Sequence, residues 1–112
     1  MFKFDSEKIK GGENRREFAN IVFDILEDLS YMDGYSQNDM KEINTLKTRA
    51  WNHFPMASFN IAWALFNEPQ RFNFQNKRIL KYIQSETYEA AGGFLYLHNI
   101  PVSVTKYYTS YP

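Results

Sequence analysis

A helical spacing of apolar residues near the N-terminus is the strongest constraint on the fold of this chain. Apolar residues recur there at intervals of four and three, which is the period of one helix face. They are Phe18, Val22, Ile25, Leu29 and Met32. Asn14, with Glu17 three positions later, has the pattern of a helix N-cap, and Gly34 suits the position after a helix C-terminus. The pattern predicts a first helix over residues 14–33.

A second helix is predicted to begin near residue 37, because Ser36 and Asp39 form another capping pair. Its apolar stripe consists of Met40, Ile43, Leu46, Ala50 and Phe54. Pro55 is tolerated only in the first turn of a helix, so it closes the second helix and opens a third.

The third and fourth helices are predicted on either side of Pro69. The segment PMASFNIAWALFNEP has almost no charge and is apolar on nearly all sides, which favours a place in the middle of the domain or at an interface. Asn76 is the N-cap of the fourth helix, and the glycine pair at 92–93 ends it.

Beyond these glycines the spacing becomes strand-like. In FLYLHNIPVSVTKYY, β-forming residues flank a turn at residues 99–101, which predicts two short antiparallel strands. The expected fold class is therefore α+β and α-dominated, with four helices and a small C-terminal β-hairpin. Residues 1–112 are expected to form a single compact domain, in which 1–12 form an N-terminal arm or short strand and 109–112 a loose tail.

Composition restricts the classes of function. The chain has 112 residues and no cysteine, which removes disulfides, thiol nucleophiles and thiolate metal sites. No apolar run is long enough to span a membrane, and the first residues lack the apolar core of a signal peptide. We therefore expect a cytoplasmic protein that does not contact membranes.

Charge is balanced overall but not along the chain. Thirteen basic and thirteen acidic residues give zero net charge, yet residues 13–42 are mostly acidic and residues 43–85 mostly basic. The fold either interleaves the two halves or leaves one acidic and one basic face.

Candidate catalytic residues are few. His53 and His98 are the only histidines, and neither has Ser, Asp or Glu beside it in a nucleophile or metal motif. A small hydrolase that uses either histidine is a third-ranked hypothesis. We expect no enzymatic activity, no cofactor and no metal site.

Three other features give only weak signals for ligand binding. Asp24, Glu27 and Asp28 could serve acid/base chemistry or bind a hard cation, but such clusters usually form the solvated side of an amphipathic helix. The segment around Gly34 does not match a calcium loop, because the first two ligand positions would be leucine and tyrosine. The segment KGGENRR offers at most one weak anion site at a helix N-terminus.

The segment 71–82 is the candidate for nucleic-acid binding. It combines four basic residues with aromatic residues and contains no acid, a composition typical of grooves for single strands. The candidate contacts are Arg71, Phe72, Phe74, Lys77, Arg78 and Lys81. The alternative is that the two phenylalanines are core residues and the bases form the solvated face of the fourth helix. Zero net charge favours this second interpretation.

The aromatic content favours protein binding. Ten Phe, eight Tyr and two Trp exceed what a core of this size can bury, and exposed aromatics are enriched at protein interfaces. The partner-binding candidates are Tyr96, Tyr107, Tyr108 and Tyr111. We therefore expect a non-enzymatic, regulatory or inhibitory interaction module that forms a homodimer or binds another protein. Its codon-biased composition, rich in Phe, Tyr, Asn, Lys and Ile, suggests a phage or mobile-element accessory protein.

Overall fold

Four helices build the described part of the protein. The structure, a computed structural model, describes residues 4–9 and 11–97, with side chains as far as residue 92. The helices are α1 (Gly12–Ser30), α2 (Gln37–Asn52), α3 (Met56–Asn67) and α4 (Lys77–Leu97). Short 3-10 turns at Ser6–Lys8 and Pro69–Arg71 precede α1 and follow α3. Both α1 and α3 contact each of the other three helices, and α1 packs most extensively on α2 and α4.

The predicted α+β fold class is wrong for this part of the chain, which contains helices and no strand. The helix α4 continues through the glycine pair at 92–93 to Leu97, so FLYL is helical instead of the first strand of a hairpin. A glycine inside a helix costs only about 1 kcal/mol relative to alanine, which weakens a helix without ending it. The rest of the predicted hairpin, residues 98–112, lies outside the described residues.

The first helix begins and ends earlier than predicted. Gly11 occupies its N-cap position with φ of 85°, a conformation that glycine adopts readily, and Asn14 lies inside the first turn. At the other end, Tyr31 is the C-cap and Gly34, with φ of 93°, shapes the following turn. The capping pattern at residue 14 was therefore misleading, because a glycine cap has no side-chain signature.

Two other cap predictions are confirmed. The Ser36 Oγ accepts a hydrogen bond from the Asp39 N–H at 3.1 Å, and α2 begins at Gln37 as expected. The Asn76 Oδ1 accepts from the Arg78 N–H at 3.0 Å, at the start of α4. Both caps satisfy N–H groups that have no partner within their own helix.

The N-terminal segment contributes to the core. Phe4 and Ile9 are buried, and the Phe4 ring stacks on Phe18 of α1 with centroids 5.3 Å apart. Phe18 in turn stacks on Phe59 of α3 at 5.5 Å. The Arg15 guanidinium holds this segment in place by donating to the carbonyl of Ser6 at 2.7 Å. Residues 4–9 are thus a packed segment rather than a free arm.

Candidate functional site

The predicted partner-binding tyrosines fall where the structure gives no side chains. Tyr96 lies in α4, beyond the last described side chain, and Tyr107, Tyr108 and Tyr111 lie outside the described residues. Their role in partner binding stays a prediction.

The segment 71–82 divides into a buried part and an exposed part. Phe72 and Phe74 are 7% and 2% exposed and belong to the core, so neither ring is accessible to a base. Lys77, Arg78 and Lys81 are exposed on the first turns of α4. The groove hypothesis therefore retains its cations but has no stacking platform at the two phenylalanines.

Hydrogen bonds from backbone N–H groups to two carboxylates of α2 hold residues 73–76 against that helix. The Asp39 carboxylate accepts from the Gln75 N–H at 2.7 Å and from the Asn76 N–H at 3.1 Å. The Glu42 carboxylate accepts from the Asn73 N–H at 2.6 Å. We call residues 72–76, with their two buried rings, the docked loop. Its contacts explain how α4 is positioned and support the structural interpretation of this segment.

Asp39 is a buried acid with a depressed pKa. It is 1% exposed. Burial by itself would raise the pKa of Asp39, but hydrogen bonds from the Gln75 and Asn76 backbone and from the Ser36 and Asn38 side chains lower it below its ordinary value. A buried carboxylate that accepts several hydrogen bonds stays ionised at neutral pH, so Asp39 has a complete structural role.

Arg71 is oriented by two neighbours. Its guanidinium pairs with Glu68 and lies 5.7 Å from the centroid of the Trp63 ring. This is the single ion pair found among the described residues. Arg71 nevertheless remains exposed at the junction of α2, α3 and the second 3-10 turn.

A cleft lined by aromatic rings opens between α1 and α2. Phe23, Trp51 and Phe54 line it together with Asn20, and its volume is about 190 Å³. Trp51 is 70% exposed and packs on Phe23 with ring centroids 5.5 Å apart and planes inclined by 43°. We call these four residues the aromatic cleft. An exposed tryptophan that is already held by a neighbouring ring has little freedom left to lose on binding.

The line of contact between α1 and α2 continues past the cleft to a second exposed ring. Tyr31, at the C-cap of α1, is 74% exposed, and the Lys47 ammonium lies 5.1 Å from its ring centroid. The same ammonium is 3.2 Å from the Ser30 Oγ. Exposed aromatic rings therefore occur at two places along one edge of the helix pair.

Sequence reasoning missed the aromatic cleft. It assigned Phe54 to the apolar stripe of the second helix, whereas this ring is 37% exposed. Trp51 directly follows Ala50 and therefore lies off that stripe, and a large ring off the core-facing stripe is the signal that could have identified it. The partner ring, Phe23, is brought to Trp51 only by the packing of α1 on α2.

The remaining candidate residues that the structure describes are exposed or already hydrogen-bonded. His53 is the exposed C-cap residue of α2, and His98 lies outside the described residues. Asp24 and Asp28 are exposed on α1. Residues 4–9 and 11–92 contain no group of three potential metal ligands. Arg15, in the proposed anion segment, is already occupied by main-chain carbonyls and by the Phe59 ring.

No helix in the described ranges combines the length and the apolar character needed to cross a membrane.

Comparisons of the chain with protein-family models, curated proteins and solved structures find no match. The geometry of the surface is therefore the basis of the functional conclusion.

Proposed function

We propose that this protein is a non-enzymatic interaction module that binds another protein through the aromatic cleft. The observation that supports this most strongly is Trp51, which is 70% exposed yet held against Phe23. Tryptophan and tyrosine are enriched among the residues that dominate binding energy at interfaces.

The distribution of the aromatic side chains supports the same proposal. The core takes up rings such as Phe18, Phe59 and Phe74, while others remain on the surface. The exposed rings among the described side chains are Tyr31, Trp51, Phe54, Trp63 and Tyr82. Covering Trp51 and Phe54 with a partner would remove apolar area from water at about 25 cal/mol per Å².

The simplest mechanism is occlusion. A rigid helical surface that covers a partner's own binding or active surface inhibits or modulates that partner without chemistry. A phage or mobile-element inhibitor would act in this way. Partner contacts by the predicted tyrosines Tyr96, Tyr107, Tyr108 and Tyr111 are a second part of the proposal.

The test compares capture by the immobilised wild-type protein and by three variants in nuclease-treated cytoplasmic lysate. Trp51→Ser should lose a specific protein that the wild type retains. Trp63→Ser is the matched control. Trp63 is also an exposed tryptophan, but it lies on α3, next to Arg71 and outside the aromatic cleft. A third variant combines Tyr107→Ser, Tyr108→Ser and Tyr111→Ser, and it tests the predicted partner contacts of these tyrosines.

The affinity of the captured protein then provides the quantitative criterion. We expect Trp51→Ser to weaken binding by at least about 2 kcal/mol, or roughly thirtyfold in Kd. Equal capture by the wild type and Trp51→Ser would remove the cleft from the proposal. Light scattering identifies a homodimer as the alternative if the wild type is dimeric and Trp51→Ser is monomeric.

A further inference from the structure

The outer face of α2 has an unusual composition for a solvated helix surface. Seven residues line a shallow groove of about 510 Å³ along this helix. They are Lys41, Asn44, Thr45, Thr48, Arg49, Asn52 and His53. We call this set the polar face of α2. It contains two permanent cations and no carboxylate, whereas solvated helix faces usually mix both signs of charge.

A smaller and more enclosed crevice shares Arg49 with the groove. This crevice, of about 130 Å³, lies between α2, α3 and the second 3-10 turn, and Arg71 and Asn60 line it with Arg49. Its only acid is Glu42, whose carboxylate already accepts from the Asn73 N–H. Two guanidinium groups and one amide at a narrow cavity are suited to the oxygen atoms of an anion.

The cations on this surface differ in whether they are already paired with an acid. Within the described residues, neither Lys41 nor Arg49 forms an ion pair. Arg71 is paired with Glu68, but its guanidinium also lies over Trp63, which orients it at the mouth of the crevice. Since the chain has no net charge, the basic character of this surface results from how the charges are distributed. Exposed acids such as Glu17, Asp24 and Asp28 lie on α1 instead.

We propose that the polar face of α2 and its crevice bind the sugar-phosphate backbone of a nucleic-acid duplex, with one phosphate between Arg49 and Arg71. Asparagine and threonine side chains are common donors to phosphate oxygens, and their contacts need no particular base. Asn44, Thr48 and Asn52 can serve here, whereas the Thr45 hydroxyl already donates to the Lys41 carbonyl at 2.8 Å. From Lys41 to Asn52 the helix face is about 16 Å long, which matches about five nucleotides along one strand of a duplex. The proposal does not depend on the aromatic cleft.

A duplex fits this surface better than a single strand does. Single-strand grooves present aromatic rings on which bases stack. No aromatic residue lines the groove on α2, and the one ring that lines the crevice, Phe72, is buried. The site also differs from the cations at the start of α4, because Arg71 is the only cation of segment 71–82 that lines it. These differences allow the two sites to be distinguished by mutation.

The experiment measures fluorescence anisotropy of a labelled 20-base-pair DNA duplex, the matching RNA duplex and one single strand, with the full chain at two salt concentrations. The test variant is K41E/R49E. The matched control is K77E/R78E, which makes the same charge change on exposed residues of α4. Circular dichroism melting of both variants verifies that they fold.

We expect the wild type to bind at least one duplex more tightly than the single strand. The test variant should lose at least tenfold in affinity at low salt, while the control changes by about threefold or less. The logarithm of the binding constant falls linearly with the logarithm of the salt concentration, and loss of two phosphate contacts should make this slope shallower by about 1.8. The wild type should therefore lose roughly tenfold more affinity than the test variant between 50 and 200 mM salt.

Three outcomes would overturn the proposal. One is the absence of binding to either duplex at 50 mM salt, and another is an equal loss in both variants. The third is tighter binding to the single strand with the loss confined to K77E/R78E, which would assign nucleic-acid binding to segment 71–82 instead.

Discussion

The docked loop and the aromatic cleft are both built from phenylalanine and polar residues, but their surroundings differ. In the docked loop, Phe72 and Phe74 point into the core while Asp39 and Glu42 accept hydrogen bonds from the backbone. In the aromatic cleft, the Trp51 ring is exposed and is held mainly by another ring.

This difference shows that aromatic content alone does not identify a binding surface. Segment 71–82 had the composition of a nucleic-acid groove, yet its two phenylalanines stabilise the fold. The residues around Trp51 had no recognisable motif, yet they form an accessible apolar surface. Burial of each ring, which depends on tertiary packing, distinguishes the two regions.

The largest difference between the regions is expected from removing one phenylalanine ring from each. Phe74→Ala should lower the free energy of unfolding by about 3–5 kcal/mol, because it leaves a cavity in the core. Phe54→Ala, the same change in the aromatic cleft, should cost about 1 kcal/mol, since that ring is partly solvated. Urea unfolding of both variants measures the contrast, and similar costs would mean that the cleft residues are structural too.

The second prediction concerns the carboxylate that holds the docked loop. Asp39→Ala should destabilise the protein by about 3 kcal/mol, because it leaves the Gln75 and Asn76 N–H groups without their charged acceptor. Asp24→Ala, at an exposed acid on α1, should change stability by no more than about 0.5 kcal/mol. A small change in the free energy of unfolding for Asp39→Ala would show that water replaces the carboxylate as acceptor without loss of stability.

The contribution of Asp39 should depend on pH in a defined window. Its pKa in the folded protein is lower than the ordinary 3.8, so the unfolded chain binds more protons between the two values. Stability from this group is therefore complete above the unfolded pKa and is lost as pH falls through the folded pKa. The difference in unfolding free energy between the wild type and Asp39→Asn should stay constant from about pH 7 to 5 and shrink below about pH 4. A difference that remains unchanged at about pH 2 would contradict this assignment.

The fourth prediction concerns the contribution of Trp51 to stability, which we expect to be small. Trp51→Ala should cost about 1 kcal/mol, the value of its ring contact with Phe23. Thermal melting measures this value, and Phe23→Leu, which keeps the apolar bulk but removes the ring pair, is the matched variant. A cost above about 3 kcal/mol would show that Trp51 supports the fold, and its loss of partner binding could then not be assigned to the surface.

Local signals predicted much of the helical framework. The Ser36 and Asn76 caps are formed as expected, and the stripe from Phe18 to Leu29 is buried. The prediction that residues 94–97 begin a strand is wrong because α4 continues through the glycine pair to Leu97. Glycine lowers helix propensity, but it ends a helix only where the backbone must leave the helical conformation.

Caps and apolar stripes, which depend on residues within one or two helix turns, were predictable from the amino-acid pattern. The contact of Asp39 with the backbone of residues 75 and 76, and that of Phe23 with Trp51, arise from the packing of whole helices. Capping and helical period arise from atoms a few residues apart, so their signals are present in any short segment. Burial and contacts between helices depend on how whole helices pack, and no local pattern records that arrangement.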